Sequence, residues 1–243
     1  SDAYKYTAEL YEYLEPQAQL PVNIYINWAI SCYNSERNKY QCLQIAQQIR
    51  EDGRFDLILE SLAGKAAEKM GNPEQAQEIL DSAIEKAKDL YQQQPDTNQT
   101  TVTANDIAWF YNFVRPDANN AVDWGNKAYS VNADATSASL LGYALTLNGQ
   151  SDWAGQLVDD YNDNQIALLT QGRLQLQKDQ TETAIETLKS AIALVPGTLA
   201  AETARKIKGV FFDIDDTFTS EGKILPVAFH ALWDLRTSGL LVV

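Results

Sequence analysis

Asp213 and Asp215, two positions apart and directly behind the apolar run Val210-Phe211-Phe212, carry the sequence's sharpest chemical signal. On an extended loop, side chains two residues apart point to the same side. One carboxylate could then attack phosphorus while the other exchanges a proton with the leaving group. The surrounding residues supply what such a pair needs. An apolar strand precedes it, Thr217 follows, Gly222 and Pro226 lead into an amphipathic helix that Gly239 ends, and Leu240 to Val243 open a second apolar run. Strand, acidic loop, helix and strand are the opening of a parallel α/β fold, which places ligands at the carboxyl ends of its strands.

Other residues able to do chemistry offer less. His230 is the only histidine, so neither a Ser-His-Asp triad nor a histidine zinc site is supported. The run Asp160-Tyr161-Asn162-Asp163-Asn164 resembles a calcium loop, but Gln165 replaces the glycine at position six and Gln171 the glutamate at position twelve, which favours a solvated turn. Asn98-Gln99-Thr100 fits a glycosylation sequon, which matters only in a secretory pathway. Cys32 and Cys42 have no metal-ligand spacing and read as small core thiols, with a disulfide left open.

Composition narrows the partners. With 33 acidic against 19 basic residues, a net charge of −14 argues against unspecific binding to nucleic acid or anionic membrane. No apolar run approaches the roughly 20 residues of a membrane span. The chain starts at Ser1 and stops inside an apolar run, which reads as a fragment at both ends, with a cytoplasmic location favoured and the oligomeric state open.

Before Lys206 the sequence has a different grammar. Gly172 is followed by Ala184, Leu188, Ala191 and Pro196, and the first three of those offsets recur in Gly64, Ala76, Leu80 and Ala83. Gly142, Ala154 and Val158 repeat the series, with Tyr161 at its small position. In a fourth copy Ala108 replaces the glycine, and Ala121, Gly125 and Ala128 come one residue late, which suggests a longer turn around Pro116. Small residues at these positions allow two helices to approach closely. Gly71 suits a helix end, Asn72 a cap, Pro73 a first turn and Gln75 a capping box, while Ser151 is placed to cap another helix. Ala76, Ala121, Ala154 and Ala184 lie 45, 33 and 30 residues apart (121−76, 154−121, 184−154), bracketing the roughly 34-residue period of a helix-turn-helix solenoid. Two regions follow: 1–205, with helical units near 22–50, 57–90, 104–133, 135–161 and 166–196, and 206–243.

The units between Leu57 and Pro196, and more loosely those back to Ser1, resemble tetratricopeptide (TPR) repeats. The fold class expected is mostly α, a TPR-like helix-turn-helix solenoid with a short, incomplete α/β segment at its end. The resemblance implies a scaffold that holds a peptide or partner protein in a groove lined by the first helix of each pair. The family's groove-facing spacing selects Lys65, Glu68, Asn105, Trp109, Asn112, Ser139, Tyr143, Thr146, Arg173 and Gln177. Amides there can bond a peptide backbone, while Trp109 and Tyr143 either anchor a ligand or simply pack between helices. Only Lys65 and Arg173 supply positive charge, so a neutral or basic partner is expected.

The segment Asp213-x-Asp215-x-Thr217 resembles the first motif of the haloacid dehalogenase-like (HAD) phosphohydrolases. By that resemblance Asp213 is the nucleophile, Asp215 the general acid/base, and Thr217 a loop support. Magnesium would be held by Asp213 and the main-chain carbonyl of Asp215. The family's later elements would lie beyond Val243. The expectation for 206–243 by itself is therefore a truncated domain with no phosphatase activity and no cofactor, and at most a two-stranded parallel pair between its apolar runs.

Overall fold

The computed structural model describes residues 8–9, 22–35, 39–93, 102–194, 209–210, 219–220, 223–224 and 241–242. They are mostly helical, and divide between two units, Ser1–Ala191 and Ile192–Val243. The sequence had placed its boundary at 205/206.

In the first unit, helices come in pairs: α1 (Val22–Asn34) with α2 (Lys39–Glu51), and α3 (Leu57–Lys69) with α4 (Pro73–Gln93). A third pair is α5 (Ala104–Trp109), extended by a π-helical turn (Phe110–Val114), with α6 (Ala118–Val131). Then come α7 (Ala135–Leu147) with α8 (Ser151–Val158), and α9 (Gln165–Gln177) with α10 (Thr181–Ala193), the last two residues of which belong to the second unit.

Local chemistry starts and stops these helices. The first helices α3, α5, α7 and α9 begin at Asp56, Thr103, Asp134 and Asn164, whose side chains accept main-chain N–H groups of the first turn, with reciprocal capping boxes at Thr103/Asp106 and Asp134/Ser137. Three of the pairs turn in the same way. The N–H groups of Asn72, Gln150 and Gln180 reach back five residues to the carbonyls of Ala67, Leu145 and Gln175 at 2.9–3.0 Å. The residue before each is left-handed: Gly71 (φ 84°), Gly149 (φ 74°) and Asp179 (φ 57°). Ser151 does not cap α8; it is the first helical residue, and its hydroxyl donates to Gln177 Oε1 at 2.8 Å.

The third pair departs from the turn predicted around Pro116. Met70, Asn148 and Lys178 open their turns six residues after Gly64, Gly142 and Gly172 (70−64, 148−142, 178−172), whereas Arg115 opens its turn seven after Ala108 (115−108). The surplus residue is therefore inside the helix, where the π turn absorbs it. Arg115 N bonds Phe110 O at 3.0 Å, and Asp117 N bonds Tyr111 O at 3.0 Å, six residues back instead of five.

Packing joins each pair to the next. Phe110, Ile107, Leu140 and Ile84 share one core cluster with Trp124 and Tyr111. Tyr25, Trp28, Ile45, Ile49 and Leu59 form a second cluster around α1 to α3. Leu141, Leu145, Ala154 and Leu174 form a third. Burying one side chain of Phe110's size contributes about 1.5–3 kcal/mol relative to leaving it in water. First helices touch first helices along the array, α1 on α3, α3 on the π turn, α5 on α7 and α7 on α9.

In the second unit β1 (Gly209–Val210) pairs in parallel with β4 (Leu241–Val242), Gly209 opposite Leu241 and Val210 opposite Val242. Between them β2 (Thr219–Ser220) and β3 (Lys223–Ile224) form an antiparallel pair. Asp213, Asp215 and Thr217, and the helix expected after Pro226, lie outside the described residues.

Candidate functional site

The residues directly after each small position share one face of the array. They are Lys65, Trp109, Tyr143 and Arg173, all partly exposed, one from each of α3, α5, α7 and α9. The last three form a continuous line with Phe113. Trp109 lies 6.5 Å from Phe113 between ring centroids, Phe113 lies 4.6 Å from Tyr143 at a 37° tilt, and the Arg173 guanidinium stands 5.8 Å from the Tyr143 centroid. These contacts cross three successive pairs, so the row belongs to the stacking of the helices and not to any one of them.

Other expected groove residues are elsewhere. Asn112, Ser139 and Thr146 are buried, 2%, 0% and 3% exposed. Their polar groups turn to main chain: Asn112 Nδ2 donates to Leu140 O at 3.0 Å, Ser139 Oγ to Ala135 O, and Thr146 Oγ1 to Tyr143 O at 2.7 Å. Buried and bonded to main chain, these three do not offer their polar groups to a ligand, which corrects the expectation that they meet one. Asn105 is half-buried with its Oδ1 inaccessible and unpartnered. Lys65 and Glu68 pair with each other at 2.9 Å and line an open hollow with Val114 and Arg115. Gln177 is exposed and held by Ser151.

The residue that sequence reasoning missed is Phe113. Helical spacing put Asn112 on the open face, but the π turn turns Asn112 inward and Phe113 towards Tyr143. The signal was present in the seven-residue interval from Ala108 to Arg115. Arg115 itself pairs with Asp81 on α4, tying the third pair to the second.

The electrostatics of the face are sparse. α7 carries no charged residue and α9 only Arg173. Of the described arginines, Arg50, Arg54 and Arg115 pair with Glu60, Asp52 and Asp81, whereas Arg173 has the Tyr143 ring and no carboxylate. Asp106, the acid nearest in sequence to Trp109, is committed to Thr103.

Neither cysteine offers a reactive centre. Both are buried and outside any disulfide, Cys32 Sγ donates to Gln41 Oε1 at 3.4 Å and Cys42 Sγ to Ala29 O at 3.2 Å, and burial pushes the Cys42 pKa up to about 12. No cluster of three or more metal-ligating side chains exists among the described residues. No helix among them is long and apolar enough to cross a membrane.

Comparison with known proteins yields two likenesses. A tetratricopeptide repeat family matches residues 166–198, which include α9 and α10. A solved chain described as "MamA D159K mutant 1" is similar at 20% identity, over 70% of this chain and 95% of that one, with a TM-score of 0.35. No curated protein matches.

Proposed function

We propose that this chain is a protein-interaction scaffold that holds a peptide or partner protein on the face of its first helices. The observation that carries the reading is the row Trp109, Phe113, Tyr143 and Arg173, partly exposed aromatic surface ending in a guanidinium that has no carboxylate partner among the described residues. Aromatic and arginine side chains are the anchors most often found at the centre of interfaces. The repeat match over 166–198 supports it. The partner is neutral or basic, because Lys65 is already neutralised by Glu68 and only Arg173 remains to meet an acid. No cofactor enters this reading.

The test is capture of partners by the wild-type chain and by Trp109→Ala and Tyr143→Ala, followed by mass spectrometry. Partners retained by wild type and lost in both variants support the scaffold; a partner set unchanged in both overturns this face as its site. The charge preference has its own test. Strong calorimetric binding of an acidic C-terminal peptide, lost in Arg173→Ala, would overturn it.

A second reading concerns a chain that continues into the rest of a HAD-like domain. Its support is the Asp213-x-Asp215-x-Thr217 motif together with the parallel pairing of Gly209–Val210 and Leu241–Val242. In that reading the repeats position a magnesium-dependent phosphohydrolase, with Asp213 attacking phosphorus and Asp215 handling the proton. The 243-residue chain is expected to be inactive. Magnesium-dependent turnover of p-nitrophenyl phosphate by it, abolished in Asp213→Asn, would contradict that.

A further inference from the structure

We propose that the outer face of α10 is the contact surface of a symmetric dimer, on which a second copy of this chain packs its own α10 antiparallel. The array itself repeats the interface this surface continues. Each second helix touches the first helix of the following pair: α2 on α3, α4 on α5, α6 on α7 and α8 on α9. The same positions of the second helix meet that neighbour each time. In α6, Val122 and Tyr129, one and eight after Ala121 (122−121, 129−121), pack against Leu141, Leu145 and Leu174. In α4, Ile84, eight after Ala76 (84−76), is buried with Ile107 and Phe110 of the next pair. In α8, a Cβ on Gly155, one after Ala154 (155−154), would meet Leu174 Cδ1 of the next pair at 3.7 Å. Where the first of these positions is open, in α4, it holds the polar Gln77.

α10 is the last helix among the described residues, and it carries large apolar residues at both positions. Ile185 and Ile192, one and eight after Ala184 (185−184, 192−184), are 46% and 62% exposed. Leu176 of α9 is 48% exposed, four after Gly172 (176−172), where α7 has Thr146, 3% exposed, four after Gly142 (146−142). A repeat array needs a polar outer face on its terminal unit to stay apart from its neighbours, and this one is apolar. Its continuity with the interfaces between pairs makes a helix the fitting cover.

Charge selects the second copy. Glu182 and Lys189 flank the stripe, three before and four after Ile185, and both are exposed. Antiparallel pairing about a midpoint between Ile185 and Glu186 brings Glu182 of each copy to Lys189 of the other, so the favourable contact is made twice. Lys189 is free to serve, since its bond to Glu186 joins two side chains that are 66% and 74% exposed and holds it only weakly. At the other end of the array Ala8, 0% exposed, packs into the cluster of Tyr25 and Trp28, so the chain's own residues stand before α1. That argues against head-to-tail stacking and for a two-fold pairing, which closes after two copies.

The experiment is sedimentation equilibrium of the 243-residue chain across micromolar concentrations. The expected result is a monomer–dimer equilibrium with a Kd of roughly 10–100 μM, because one pair of helices buries less than a standard interface. Ile185→Glu should raise that Kd at least about tenfold while the helical circular dichroism stays unchanged, since the side chain is half-exposed. Lys189→Glu sets acid against acid twice and should raise it about fivefold; adding Glu182→Lys should restore it to within about twofold. A monomer at every concentration, a dimer that survives Ile185→Glu, or a charge reversal that the double variant does not repair overturns the proposal. Growth beyond dimers overturns it as well, since a two-fold contact leaves no open end.

Discussion

Gly172 lies so close beneath Leu188 that a Cβ on the glycine would sit 2.7 Å from both Cγ and Cδ2 of the leucine. The same relationship holds between Gly64 and Leu80, at 2.6 Å, and between Gly142 and Val158 Cγ1, at 2.6 Å. Each pair is sixteen residues apart (188−172, 80−64, 158−142), so a single interval sets how tightly first and second helices pack in three pairs.

Gly142→Ala should therefore destabilise the protein by about 1–3 kcal/mol, even though alanine is the better helix former. Val158 is β-branched and has little freedom to step aside. Adding Val158→Ala should recover part of the loss, which urea denaturation of the single and double variants would measure as non-additivity. Gly155→Ala is the contrast. Its Cβ would meet only Leu174 Cδ1, at an ordinary 3.7 Å, so it should raise stability by up to about 1 kcal/mol.

Asp179 occupies the left-handed turn position that Gly71 and Gly149 fill elsewhere. Asp179→Gly should stabilise the last pair by a few tenths to about 1 kcal/mol, seen as a higher thermal midpoint. Gly71→Ala should cost about 1 kcal/mol for backbone strain alone, since nothing lies within 4 Å of the added methyl.

Asn112 holds the third pair to the fourth through Leu140 O. Asn112→Ala should cost about 1–2 kcal/mol, measured by chemical denaturation. Deleting one residue from 110–114 would restore the common spacing but displace Phe113, and the loss of the Phe113–Tyr143 contact can be read from aromatic NOEs.

Two carboxylates should give opposite pH dependence. Burial of Glu60 raises its pKa above the ordinary 4.5, with Arg50, 3.2 Å away, opposing the shift. Folding therefore favours its protonated form, and that contribution to stability is complete below the unfolded pKa and lost as pH rises through the folded one. Glu60→Gln should gain stability over wild type across that window. Arg50→Ala should lose about 1–3 kcal/mol at neutral pH by leaving the buried carboxylate unpaired. Asp117 is the reverse case. Hydrogen bonds from the Asn120 main-chain N–H and its side-chain amide hold its pKa below 3.8, so its contribution is present above that value and lost as pH falls through the folded pKa. Denaturation curves of wild type, Glu60→Gln and Asp117→Asn between pH 2 and pH 7 would separate the two.

The sequence by itself determined the helix pairs and the closeness of three of them, because those features depend on short intervals along one chain. A small residue with a large one sixteen further on, a capping side chain at a helix start and a glycine after its end are local conditions, legible one at a time. It also selected Trp109, Tyr143 and Arg173. Only the tertiary structure decided which positions beside them remain open. Residues three before, one after and four after the small residue share one helical stripe, so periodicity treats Ser139, Tyr143 and Thr146 alike. In the folded array Ser139 and Thr146 are buried, whereas Tyr143 is partly exposed. The surplus residue in the third pair was countable, but whether helix or turn absorbs it depends on what each choice buries. The π turn puts the Asn112 amide on Leu140 O and the Phe113 ring on Tyr143, contacts that exist only once the third and fourth pairs are stacked.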